Sequence, residues 1–258
     1  MRYILIVAWF LLMLAPAQAR DDEHLVPESS IFSEYIYSSR GNYSLDEYYY
    51  DVLRVLNVAF EHETFARVIV LPSFSNEYAI ALSRKNGKYE VLYAISDLNL
   101  WSVNMVKSSE EYSTLSLSNG WTKDIVEKYR EKLPLHVADI DAKVCRKELP
   151  PSLGDRLHAL WADMLFRTRY RDQRPILPGD HVRPRLGLDG TTFHFSFGNG
   201  SAKLAGETWS PKPDSNTGRF VEIAEQLKIS CLEDKEEHFD QLERMVEKLQ
   251  SVLAKSEY

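Results

Sequence analysis

Three dipeptides in this sequence, Asn86-Gly87, Asp189-Gly190 and Asn199-Gly200, are of the kind that tight β-hairpin turns require. A type I′ turn holds both central residues at positive φ, and Asn, Asp and Gly adopt that conformation at the least cost. Each dipeptide therefore predicts a two-residue loop between antiparallel strands. We expect two groups of such strands, built on the hairpins at 86-87 and 199-200.

A two-residue loop at Asn86-Gly87 also fixes the pairing of the strands on either side of it. It places Leu82 opposite Val91 and Ile80 opposite Tyr93, so both strands of this hairpin share one apolar face. Before it, the β-branched run from Phe65 to Leu71 predicts a buried strand.

The same reasoning at Asn199-Gly200 places Phe195 opposite Leu204 and Phe193 opposite Gly206. Successive side chains of a strand point to opposite faces, so these phenylalanines share one face and His194 lies on the other. On this pairing Glu207 is diagonal to His194.

His194 and Glu207 are the candidate catalytic residues, because a carboxylate beside an imidazole can orient it as a general base. Thr192 and Ser196 share the face of His194 and supply hydroxyl groups next to it. The alternative is that this face is the polar, solvated side of a half-buried sheet.

Helical spacing of apolar residues predicts helices near residues 45-60, 152-170 and 215-231. Ser152 and Asp155 are placed to form a capping box for the second, and Asp214 or Ser215 can cap the third. Residues 97–120 are ambiguous, since Leu98, Leu100, Val103 and Val106 are compatible with a strand. Residues 135–145 predict another strand. The fold class expected is α+β, with antiparallel hairpins packed against amphipathic helices.

The N-terminus has the pattern of a secretory signal peptide, with Arg2 before an apolar run and small residues at Ala17 and Ala19. The alternatives are an uncleaved anchor or a buried helix, but the run is short for a bilayer span. We divide the chain into a signal peptide (1-19), an irregular segment (20-41), one α+β domain (42-231) and a charged C-terminal helix (232-258). That helix carries an apolar seam that favours packing on the domain, with a homodimer as the alternative.

The two cysteines of the chain, Cys145 and Cys231, are expected to form a disulfide in the oxidising compartment that a signal peptide implies. The alternative is two separate buried thiols. Two distant cysteines without neighbouring histidines are a poor ligand set, so no metal or other cofactor is expected.

Four arginines at the end of the second helix, Arg167, Arg169, Arg171 and Arg174, form a local basic cluster. They are a candidate binding site for an anion or an acidic partner. The alternative is that they offset the dipole at the helix C-terminus.

The net charge and the absence of common catalytic motifs reduce the number of functional classes that fit this sequence. The formal charge is −7, and it becomes −8 when Arg2 leaves with the signal peptide, so no basic surface for nucleic acid is expected. The sequence lacks the common metalloprotease, serine hydrolase, nucleotide-phosphate and dinucleotide motifs. We therefore expect an exported soluble protein, periplasmic or secreted, that binds or inhibits a protein or cell-envelope partner. The alternative is a metal-independent hydrolase centred on His194 and Glu207.

Overall fold

The computed structural model describes residues 23–27, 43–107, 139–170, 190–198, 203–233, 235 and 237–256. In this part the chain is an α+β protein, with one seven-stranded antiparallel sheet and five α-helices. The strands are β1 (Val26–Pro27), β2 (Thr64–Pro72), β3 (Tyr78–Lys85), β4 (Lys88–Ser96), β5 (Ala142–Leu149), β6 (Thr191–Phe197) and β7 (Leu204–Trp209). The helices are α1 (Tyr43–Val55), α2 (Leu100–Lys107), α3 (Pro151–Phe166), α4 (Asn216–Leu232) and α5 (Glu237–Leu253), with a short 3-10 helix at Asn57–Phe60.

The strands form a single sheet rather than two groups, in the order β1-β7-β6-β2-β3-β4-β5. Strand β2 joins the two hairpins, because it pairs with β3 on one side and with β6 on the other. The predicted buried strand therefore lies at the centre of the sheet, which agrees with its β-branched, apolar sequence.

The hairpin predicted at Asn86-Gly87 is confirmed. Both turn residues have positive φ, 52° at Asn86 and 82° at Gly87. Lys85 pairs with Lys88, and the apolar pairs follow in the predicted register as far as Tyr78 with Ile95.

The register predicted between β6 and β7 is wrong by two residues. Phe195 pairs with Gly206, and His194 pairs directly with Glu207. Strand β6 ends at Phe197 and β7 begins at Leu204, so the connection is longer than a two-residue turn. A shift of two equals the side-chain period of a strand, and the predicted faces are therefore retained. This register excludes the two-residue loop predicted at Asn199-Gly200. The hairpin predicted at Asp189-Gly190 is also wrong, because β6 already pairs with β2 on one side and with β7 on the other. Residues 189 and 199–202 themselves lie outside the described part.

Each face of the sheet is covered by helices. On the first face α3, α4 and α5 enclose a core that contains Trp161, Phe195 and Phe220, all fully buried. On the second face α1, α2 and the 3-10 helix cover Ile69 and Leu92. Alternation along β2 explains the division, since Val68 and Val70 face the first core while Ile69 faces the second.

Helix α3 begins at Pro151, and the capping box predicted from Ser152 and Asp155 is wrong. The N-cap residue is Pro150, which has no side chain able to accept a hydrogen bond there. Asp155 instead accepts a hydrogen bond of 2.5 Å from the Tyr89 hydroxyl. A Cβ atom at Gly154 would lie 2.2 Å from the Tyr89 ring, so the helix approaches β4 as closely as it does because this residue is glycine.

Helix α4 has the cap that the sequence predicts, since the Ser215 hydroxyl accepts a hydrogen bond of 3.0 Å from the Gly218 amide. In α5 the apolar seam lies in the first core, where its main residues are almost completely buried: Leu242, Val246, Leu249 and Leu253. The seam faces the domain. No helix in the described ranges is both long enough and apolar enough to cross a membrane.

Residues 100–107 form helix α2, so the continuation of the sheet considered for Leu100, Val103 and Val106 is wrong. Asn99 determines where the helix begins, because its side-chain oxygen accepts a hydrogen bond of 2.7 Å from the Ser102 amide. The strand predicted at residues 135–145 lies further along the chain, at Ala142–Leu149, with residues 135–138 outside the described part.

The two cysteines lie at disulfide-bonding distance, as predicted, with their Cα atoms 6.0 Å apart. Cys145 is in the middle of the edge strand β5, and Cys231 is in the last turn of α4. The cross-link therefore ties the edge of the sheet to the helical layer on the first face.

Candidate functional site

His194 and Glu207 are brought together by direct cross-strand pairing near one end of the sheet. His194 Nδ1 lies 3.4 Å from Glu207 Oε2, a distance that suits an ion pair when the imidazole is protonated. The His194 side chain is only 3 % exposed and that of Glu207 is 21 % exposed. The sequence placed both residues on one face correctly, and the corrected register makes them neighbours rather than a diagonal pair.

The second face of the sheet continues this polar pair with two further side chains. Arg67 on β2 pairs with Ser196 on β6, and its Nε donates a hydrogen bond of 2.8 Å to the Ser196 hydroxyl. The same guanidinium lies over the Phe60 ring, 4.4 Å from its centre. Tyr49 of α1 meets the His194 ring edge-on at 6.3 Å between ring centres. These contacts bury a polar row beneath α1 and the 3-10 helix.

This arrangement has part of the geometry of a general base. A carboxylate beside Nδ1 can hold the imidazole in one orientation and stabilise its protonated form. A hydrolase also needs a substrate to reach the imidazole, and almost the whole surface of His194 is covered. Ser196 accepts its hydrogen bond from Arg67, so its oxygen is held toward β2.

The arginines of the predicted cluster contact different parts of the molecule. Arg167 donates hydrogen bonds of 2.9 Å to Asp163 and to the Ser256 hydroxyl, and its side chain is 8 % exposed. Arg169 contacts the His24 ring and donates its amide to the Leu25 carbonyl at 3.0 Å. Arg171 and Arg174 lie outside the described residues. In the described half of the cluster, Arg167 therefore joins the end of α3 to Ser256, and Arg169 joins the chain after α3 to His24 and Leu25.

A buried carboxylate that the sequence did not single out lies at Glu77, between β2 and β3. The residue is fully buried, and its two oxygens accept three hydrogen bonds. Tyr48 of α1 and the Trp101 amide donate to Oε1, both at 2.9 Å, and the Leu100 amide donates to Oε2 at 2.7 Å. Glu77 therefore stabilises the start of α2 and joins it to α1.

Burial raises the pKa of the Glu77 carboxyl, and the hydrogen bonds from Leu100, Trp101 and Tyr48 lower it by less. The same burial, together with the neighbouring carboxylate, raises the pKa of the Tyr48 phenol. No local pattern predicts the burial of Glu77, because the residue ends a mainly polar loop and such a loop is expected to be exposed to solvent.

The β2–β3 loop, residues 73–77, is held by hydrogen bonds to four segments outside it. The Ser73 amide and hydroxyl both donate to the Gly190 carbonyl, at 3.0 and 2.7 Å. Asn99 donates to the Ser75 carbonyl at 2.5 Å, and Asn76 donates to the Ser96 carbonyl at 2.8 Å. The Glu77 carboxyl accepts hydrogen bonds from α1 and from the first turn of α2.

The loop exposes one large apolar side chain. Phe74 is 80 % exposed, the largest exposure of any large hydrophobic side chain in the described ranges. The sequence pattern did not predict this exposure, and the signal that it contains is a phenylalanine flanked by Ser73 and Ser75 between two strands.

Among the described residues, no group of three or more His, Cys, Asp or Glu side chains is arranged to hold a metal ion. No protein-family model, no curated protein and no solved structure matches this chain.

Proposed function

We propose that this protein is an exported binding or inhibitory module that acts on a protein or cell-envelope partner. The proposal is carried by the cysteine pair, because disulfides persist in oxidising compartments and are rare in the cytosol. The signal-peptide pattern of residues 1-19 supports the same compartment. The near-complete burial of His194 favours binding over catalysis, since it leaves little of the imidazole for a substrate to reach.

Export is tested by expressing the full chain in its native host and measuring the intact mass of the protein outside the cytoplasm. We expect a mass lower than that of the full chain by residues 1-19 and by the two hydrogens lost when Cys145 and Cys231 are oxidised. A protein that keeps its N-terminus and both thiols in the cytoplasm would refute export.

Binding is tested by chemical crosslinking of the purified mature protein to envelope extracts of the same host. We expect one partner to be enriched specifically and to bind again after both proteins are purified separately. The control is the same protein unfolded by reduction and alkylation. Equal capture by both forms, or no capture, would contradict the binding function.

A hydrolase centred on His194 and Glu207 is the second candidate, favoured by the 3.4 Å contact between the two side chains. If His194 is the general base, His194→Gln should lower hydrolysis of a panel of ester and peptide substrates about 100-fold or more. The matched control is His158→Gln, since His158 is an exposed histidine on α3 that packs against Phe65. Equal rates in the two variants would exclude this role for His194.

A further inference from the structure

The β2–β3 loop presents one apolar side chain from an otherwise immobilised backbone. Four of its residues are bonded to neighbouring segments: Ser73 to residue 190, Asn76 to the end of β4, Ser75 to Asn99 before α2, and Glu77 to α1 and the start of α2. Phe74 and Ser75 are the exposed residues of the loop, and Phe74 is the apolar one, at 80 % exposure.

An exposed aromatic ring on a loop held by hydrogen bonds is suited to binding another molecule. Moving an exposed phenylalanine from water into an apolar site is favourable, and aromatic anchors in pockets dominate many interfaces. A mobile loop loses much of that gain when it is ordered on binding, whereas a loop already held by hydrogen bonds loses little. The bonds around Phe74 therefore place the ring ready to bind at low entropic cost.

The absence of charged side chains around Phe74 indicates which kind of partner the loop fits. Residues 73–76 carry no charged side chain, and the carboxyl of Glu77 is buried beneath them. Attachment to an anionic membrane surface relies on several cations and more than one apolar group. A single aromatic ring with a rim of serine and asparagine instead fits an apolar pocket with a neutral, hydrogen-bonding edge, which is a protein surface.

We propose that the β2–β3 loop is the docking element of this protein and that it inserts Phe74 into an apolar pocket of a protein partner. This inference rests on the proposed binding function and assigns that function to one surface.

The test is site-specific photocrosslinking of the full chain in its native host, with benzoyl-phenylalanine in place of Phe74. The matched control carries the same group in place of Phe166, which is 69 % exposed on α3. We expect a discrete protein adduct from position 74 and none of that mass from position 166. With the partner purified, Phe74→Ala should weaken its binding about tenfold or more, whereas Phe166→Ala should leave the Kd unchanged.

Folding does not confound the comparison. Both side chains are largely exposed, so neither alanine variant should change the Tm. Adducts from position 166 alone would overturn the role of Phe74 and leave the binding function standing. Lipid adducts from position 74 would overturn the protein pocket, and no adduct from either position would contradict both proposals.

Discussion

Replacing Cys145 with serine is expected to lower the free energy of unfolding by about 4 kcal/mol. The bond to Cys231 closes a loop with a sequence separation of 86, and opening it returns that conformational freedom to the unfolded chain. The loss should appear as a lower urea midpoint for the Cys145→Ser variant.

The two cysteines act as one unit, which supplies the control. Cys231→Ser and the double variant should be destabilised to about the same extent as Cys145→Ser, and a reductant should destabilise the wild type but none of the variants. Stabilities that add in the double variant would mean that the two residues contribute separately and are not bonded.

Replacing Glu77 with alanine is expected to cost about 3 kcal/mol, the second-largest effect of a single substitution that we predict. The change removes the shared acceptor of the Tyr48 hydroxyl and the Leu100 and Trp101 amides, all donors in a buried site. Denaturant unfolding measures the loss. Tyr48→Phe is the matched control, because it removes one of the three donors and should cost about 1 kcal/mol. Equal stabilities of Glu77→Ala and the wild type would contradict the role of Glu77 in holding α2.

The charge of Glu77 gives this contact a pH dependence. Because burial raises the pKa of this carboxyl in the folded protein, the part of its contribution that depends on protonation is fully present below the ordinary value of about 4.5 and is lost as the pH rises through the folded pKa. The free energy of unfolding of the wild type should therefore fall relative to that of Glu77→Gln as the pH rises above about 4.5. A difference that grows in the opposite direction would show that the hydrogen bonds outweigh burial.

Local chemistry explains which parts of the fold were predictable. The hairpin at Asn86-Gly87 was predicted in register because two adjacent residues determine its turn. The β6–β7 pairing was not, because the strands end before Asn199-Gly200 is reached, and the register is shared with β2 through the contact of Phe195 with Val68. The faces predicted for the side chains of β6 and β7 are nevertheless correct, because they depend only on alternation along each strand.

The candidate site shows the same limit. Alternation along β6 and β7 placed His194 and Glu207 on one face, and this is a local property. The burial of His194 depends on Tyr49, far away in sequence, and the burial of Glu77 depends on where α2 begins. Neither contact leaves a repeating signal in the sequence. Phe74 was missed because its proposed role rests on the hydrogen bonds of its neighbours rather than on its own spacing.

Strand β5 bears on how the protein behaves in concentrated solution. It lies at the end of the sheet, and no other described strand pairs with its outer side, so its backbone could template the addition of strands from other copies. Its sequence carries three cations, Lys143, Arg146 and Lys147, where a strand inside the sheet would carry apolar residues. Two copies that met along this edge would have to accommodate these long charged side chains, two of which are held in ion pairs with Asp97, Glu61 and Glu90. We therefore expect the edge to resist fibril-like addition of strands.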